Sequence, residues 1–137
     1  MFKVVDQLIC WWPVTVEEPS PAKVGQMVEY EFEIRLELMS RDETKAQDEA
    51  RQAILDRAIA NSSEANLRAV KKELDAFDDA SFARVILGWR GIVDADDQEL
   101  PFSKTALGLV LRRDHIRKGI ARAYREAIGE DKARLGN

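Results

Sequence analysis

The chain has 137 residues, of which 45% are hydrophobic and 34% charged, with a formal net charge of −4. This suits one globular domain with a modest core and excludes a disordered chain; with a pI near 5.1 it also argues against non-specific nucleic-acid binding by the whole chain. The single cysteine, Cys10, leaves no partner for an internal disulfide or a Cys-based zinc site, fits a reducing cytosol, and reads as a small apolar residue beside Trp11.

No stretch offers the roughly 18 apolar residues that a membrane span needs. The opening run MFKVVDQLICWW contains Asp6 and Gln7 and is followed by no small-residue cleavage site. It reads as the first strand of the fold and not as a signal peptide, so a soluble, intracellular protein is expected.

The first third, residues 1–39, is strand-rich. Trp12, Val14 and Val16 alternate with Pro13, Thr15 and Glu17, and the loop EEPSPAKVG follows. Then Val28, Tyr30, Phe32, Ile34, Leu36 and Leu38 alternate with Glu29, Glu31, Glu33, Arg35 and Glu37. Strict period two predicts a strand with one buried and one solvated face, paired with the 11–17 segment as an antiparallel hairpin. Pro13, lacking a donor, must then sit at an edge or a bulge.

Residues 40–88 read as helical. Ser40 with Glu43 is a capping box for a polar helix over 41–60, whose stripe is Ala46, Ala50, Ile54 and Ala58. Asn61-Ser62-Ser63 ends it, and Leu67, Val70, Leu74 and Phe77 mark one face of a second helix. Asp78 or Asp79 is expected to cap a third, short helix carrying Phe82, Val85, Ile86 and Trp89, although its Val-Ile-Leu run also suits a strand. The motif at 89–103 is followed by C-terminal helices over 104–128. Ser103 caps the first; Asp114 caps the last, which has Ile116, Ile120, Ala123, Tyr124, Ala127 and Ile128 inward and Gly129 as its stop. Residues 129–137 form a polar, frayed tail. The expected architecture is α+β in a single domain: an N-terminal antiparallel β-hairpin followed by about five α-helices.

The stretch LGWRGIVDADDQELPFS, residues 87–103, has the Asp-x-Asp spacing that begins a calcium loop. An EF-hand loop needs glycine at its sixth position and glutamate at its twelfth. Counting from Asp94, those places hold Glu99 and Thr105, so the segment reads as an exposed acidic turn closing a small hairpin or ordered loop. No metal and no cofactor is expected. The lone His115 lies in the first turn of the last helix with no nucleophile nearby in sequence, and no hydrolase, nucleotide-binding or zinc-protease motif is present. The chain is not expected to be an enzyme.

Charge is unevenly spread: residues 1–50 carry a net −6, 51–103 a net −3, and 104–137 a net +5. Acid gathers on the solvated face of the long strand at Glu29, Glu31, Glu33 and Glu37. Base gathers on the last helices at Arg112, Arg113, Arg117, Lys118, Arg122 and Arg125. Such a molecule can contact copies of itself head to tail, building rings or spirals. Two ordinary solvated faces, touching within one monomer, would read the same way. The basic helices could alternatively make a nucleic-acid-binding regulatory module, against which the overall acidity weighs. Trp11 and Trp12 must face opposite sides of their strand, one into the core and the other under a helix or at an interface.

Gly88-Trp89-Arg90-Gly91-Ile92-Val93-Asp94, a short acidic turn, Leu100-Pro101-Phe102-Ser103, and a final helix with Ala123-Tyr124-x-x-Ala127 together resemble the tail assembly chaperones of long-tailed, lambda-like bacteriophages and prophages. The resemblance covers residues 82–128 and, in general layout, the strand-rich third. It departs at Asp96-Asp97-Gln98, where that family often has Asp-Gly. It implies a non-catalytic protein of the host bacterial cytoplasm, not expected in the mature virion. Such a protein self-associates and binds the tape measure protein, keeping it soluble until the tail tube polymerises. A frameshifted longer form would contact the tail-tube protein. An apolar strip for the tape measure is then sought at Trp11 or Trp12 and along Trp89, Leu100, Pro101 and Phe102, where Trp89 and Phe102 equally suit a core-closing role.

Overall fold

The computed structural model describes residues 1–130; residues 131–137, most of the expected polar tail, lie outside the described residues. The order of elements is β1 (Leu8–Pro19), β2 (Met27–Leu38), α1 (Arg41–Ala60), α2 (Glu64–Val85), β3 (Ile86–Arg90), α3 (Lys104–Val110) and α4 (Asp114–Ala127). The chain divides into two compact units, Met39–Val85 and the remainder from Met1–Leu38 and from Ile86 onward. The α+β class is as expected; among the described residues there are a three-stranded antiparallel sheet and four helices where a hairpin and about five helices were predicted. No helix among the described residues is long and apolar enough to cross a membrane.

The sheet has the order β1-β2-β3. Its register pairs Trp12 with Ile34, Val14 with Phe32, and Val16 with Tyr30, so the predicted apolar alternation falls on one face. Pro13 stands on β1, which is an edge strand, where its missing donor is tolerated. β1 begins at Leu8, so residues 1–7 of the expected first strand belong to no strand or helix.

β3 replaces the expected third helix and bears out the alternative, that the Val-Ile-Leu run leads into a strand. The expected caps at Asp78 and Asp79 lie inside α2, which runs unbroken to Val85; Ile86 then starts a strand whose Trp89 pairs with Ile34. The register shifts between Arg35 and Leu36, leaving Leu87 as a bulge. Helical spacing at Phe82, Val85, Ile86 and Trp89 was a coincidence of a helix meeting a bulged strand. The free edge of β2 selects the strand, a tertiary influence that local periodicity does not carry.

α4 covers the apolar face of the sheet. Gly119 makes the approach possible: a Cβ there would lie 2.8 Å from the Thr15 carbonyl oxygen and 2.9 Å from a Val16 methyl. Trp12 reaches Glu126 near one end of α4 and Glu18 reaches His115 near the other, so α4 runs antiparallel to β1. Val14, Ile34, Leu36, Ile86, Leu107 and Ile120 are fully buried and form the centre of this unit. The N-cap of α4 is Arg113, with no side-chain capping bond; Asp114, predicted as the cap, is its first helical residue. There its carboxylate still lies beside the positive end of the helix.

The other unit is the helical hairpin of α1 and α2. Ser40 Oγ accepts from the Glu43 amide, as a cap should, but the Glu43 carboxylate does not complete the box. It takes a bidentate pair of bonds from Arg84 at 2.7 and 2.8 Å. Arg51 holds Asp78 in the same way at 2.9 and 3.1 Å, and Arg57 binds Glu73. Of the predicted stripe on α1, Ile54 is buried and Ala58 half-buried, while Ala46 and Ala50 are exposed.

Candidate functional site

The sheet separates the two charged surfaces. In β2 the residues facing α4 are Tyr30, Phe32, Ile34 and Leu36, so Glu29, Glu31, Glu33 and Glu37 project from the opposite face. α4 lies on the apolar side, with Gly119, Ile120 and Ala123 turned inward. Its basic side chains therefore lie across the sheet from the glutamates. Arg112, Arg113, Lys118 and Arg125 are exposed, while Arg117 and Arg122 are half-buried. Arg117 donates to the Leu111 carbonyl at 3.3 Å, which ties that guanidinium to the turn before α4. Glu29 and Glu31 have no ion pair among the described residues, and Glu33 pairs with Arg90 of β3.

The acidic row is not uniform. Arg90, from β3, stands opposite Glu33 and donates to it at 2.8 Å, and this bond holds the Glu33 carboxyl below its ordinary range. The same guanidinium lies 4.1 Å from the centre of the Trp11 ring. Trp11 is on this outer face and exposed, whereas Trp12 is on the inner face and donates to the buried Glu126 at 3.4 Å. The adjacent tryptophans do face opposite sides, and the outer one is stacked under an arginine. No sequence signal pointed to Arg90, because its partners lie at positions 11 and 33 of other strands.

The motif that carries the family resemblance forms one junction. Trp89, buried on β3, donates through Nε1 to the Leu100 carbonyl at 2.8 Å and meets Phe102 edge to face at 5.0 Å between ring centres. Ser103 Oγ accepts from the Ala106 amide and caps α3, and Lys104 Nζ donates to the Ile86 carbonyl. Pro101 is exposed between them, and Leu100 is half-buried. Trp89 and Phe102 close the core, as one reading of the sequence had it, but from a strand and not from a helix end. Gly91, at φ +86°, turns the chain off β3 into the acidic segment.

That segment is a tight turn. Val93 bridges to Glu99, Leu100 donates to the Ile92 carbonyl, and Asp94 Oδ1 accepts from the amides of Asp96 and Gln98. Asp97 takes a φ of +59°. Among the described residues no group of three or more histidine, cysteine, aspartate or glutamate side chains is placed to hold a metal ion. His115 is half-buried, with Nε2 2.7 Å from Glu18 Oε2, a contact between α4 and β1 that the sequence did not announce. Cys10 is half-buried, and burial raises its thiol pKa.

Comparison with protein-family models, with curated proteins and with solved structures finds no match to this chain.

Proposed function

We propose that the chain is a non-catalytic tail assembly chaperone of a long-tailed, lambda-like bacteriophage or prophage. In this reading it works in the host cytoplasm, self-associates head to tail, and holds the tape measure protein soluble until tube subunits polymerise around it. The observation that carries the reading is the opposition of the acidic row and the basic helix across one sheet. Surfaces of opposite sign on opposite sides complement each other between copies, and such contacts propagate as rings or spirals instead of closing as two-fold dimers. The family resemblance adds the purpose, and its motif residues make a structural junction, which fits a protein whose shape is its function.

The test joins two measurements on the full chain. Sedimentation velocity over a concentration and salt series should show species larger than a dimer that dissociate as salt is raised. Arg113→Glu should weaken association, with recovery on mixing with Glu31→Lys; these residues are exposed, unlike Arg117, whose reversal would also disturb its bond to Leu111. Co-expression with the tape measure protein of the same phage genome should keep that protein in the soluble fraction. A chain that stays monomeric at low salt and leaves the tape measure protein insoluble would sink the reading.

A further inference from the structure

β2 is paired along its whole length on one side only. β1 meets it from Met27 to Leu38, whereas β3 meets it only from Glu33 to Leu36. Gly91 then turns away, close over Phe32, where a Cβ on it would lie 3.6 Å from the Phe32 Cα. Residues 27–31 of β2 thus present an open strand edge, and among the described residues no backbone bond reaches it from any element but β1. An open edge is a template for another strand. Side chains at this end are correspondingly uncovered: Met27 is 58% exposed and Tyr30 45%. On the outer face Glu17 stands directly opposite Glu29, with Glu31 next in the row. No ion pair among the described residues involves these three, although Glu33, one step further, has Arg90. Like charges opposite one another destabilise a sheet.

Residues 1–7 have the complementary character. They lie in no strand or helix, yet Phe2 is 92% and Val4 85% exposed, and Phe-x-Val-Val is strand-forming chemistry. We propose that residues 2–5 of one copy add as an antiparallel strand to the open edge of β2 in a second copy. Phe2 then faces Tyr30, Lys3 faces Glu29, Val4 faces Val28 and Val5 faces Met27. In this register Phe2 and Val4 extend the inner face, while Val5 meets Met27 on the outer face and Lys3 enters the acidic row there, as Arg90 does beside Glu33. A slip of one residue in either direction would turn Lys3 onto the apolar face and set Phe2 against Glu29 or Glu31. A slip of two would bring Phe2 to Phe32, where Gly91 already lies.

The donor has to be a second copy. Leu8 pairs with Leu38, and Glu29 is nine residues further along β2, about 30 Å away at ~3.4 Å per residue. The five residues from Lys3 to Leu8 span at most about 18 Å. The contact uses a strand edge and not the basic helices, so it stands whether or not the chain is a tail chaperone.

Val4→Pro removes a donor and fixes φ in an exposed segment, so it leaves the monomer fold intact while blocking strand addition. Sedimentation of the full chain should show association weakened at least tenfold, with the circular dichroism and melting curve unchanged. In a Cys10→Ser background, a chain carrying Phe2→Cys mixed with a differently tagged chain carrying Tyr30→Cys should form a disulfide-linked heterodimer. Its yield should exceed that of a control pairing Phe2→Cys with Val93→Cys, an exposed position outside the open edge. Association of Val4→Pro equal to that of the parent, a cross-link yield no higher than the control, or a parent that is monomeric throughout overturns the proposal. If Arg113→Glu dissociates the chain and Val4→Pro does not, strand addition is wrong while the charged-face contact stands.

Discussion

The sheet unit and the helical hairpin are stabilised by different chemistry. In the sheet unit Val14, Ile34, Leu36, Ile86, Leu107 and Ile120 are withdrawn from water almost completely, and polar contacts such as Trp12 to Glu126 decorate that core. In the hairpin Ile54, Val70 and Val85 are the buried apolar side chains among the described residues, and two bidentate arginine–carboxylate pairs do much of the joining. Buried apolar side chains carry no charge to screen or titrate, whereas half-exposed ion pairs respond to both salt and pH. The comparison teaches that the two units should answer differently to the same perturbation. The molecule carries convenient reporters, because Trp11, Trp12 and Trp89 all lie in the sheet unit. Most of the helix signal comes from α1 and α2, of 20 and 22 residues against 7 and 14 for α3 and α4.

The largest expected effect is Ile34→Ala. Ile34 is fully buried between Trp12 and Trp89 in the sheet register, and truncation leaves a cavity costing roughly 2–5 kcal/mol. Urea denaturation followed by tryptophan fluorescence should move strongly to lower concentration, and the far-ultraviolet helix signal less. If the two probes shift together, the units unfold as one cooperative body and the contrast between them is structural but not thermodynamic.

A pair of glycines sharpens the comparison within one unit. Gly119→Ala gains helix propensity, about 1 kcal/mol, but its methyl would press on the Thr15 carbonyl and the Val16 side chain, and overpacking of that kind costs roughly 1–3 kcal/mol. Gly108→Ala in α3 meets nothing within 4 Å and should gain up to about 1 kcal/mol. Thermal melting should therefore move in opposite directions for the same chemical change. A stabilised Gly119→Ala would mean that α4 can lift off β1 without loss.

These positions also show how much the sequence could say. The alternation from Val28 to Leu38 identified β2 and its two faces outright, since period two has one structural meaning over that length. The serine caps at Ser40 and Ser103 were legible because their logic is local. β3 was legible only as an alternative to a helix, because five residues with a bulge have no period and are strand only while Glu33–Leu36 offers an edge. The opposition of the charged faces was half legible. Alternation places the glutamates outward, but only the fit of Gly119 over Val14 and Val16 shows which side α4 covers. Arg90 over Trp11, and Glu18 with His115, join positions far apart in sequence and leave no local trace.

For the hairpin the expected effects are smaller and salt-dependent. Arg51 and Asp78 are both partly exposed, so a double-mutant cycle with Arg51→Met and Asp78→Asn should give a coupling of about 0.5–1 kcal/mol despite the bidentate geometry. The coupling should shrink as salt is raised. Coupling that survives molar salt would place this pair in a drier environment than its exposure indicates and would bring the hairpin closer to the sheet unit in character.

The smallest effect concerns Glu33, the one member of the acidic row with a basic partner from β3. The hydrogen bond from Arg90 is the main cause that lowers its pKa in the folded state. A depressed carboxyl contributes stability that is present above its unfolded pKa of about 4.3 and is lost as pH falls through the folded value. Glu33→Gln keeps an acceptor for Arg90 but removes this titration. Melting temperatures of the two proteins should differ slightly near neutral pH, with the parent higher, and converge in acid below the ordinary carboxylate range. An offset that does not change with pH would show that Arg90 is held by Trp11 and the strand register and gains nothing from the charge on Glu33. Glu33 would then belong with Glu29 and Glu31, which have no ion pair among the described residues.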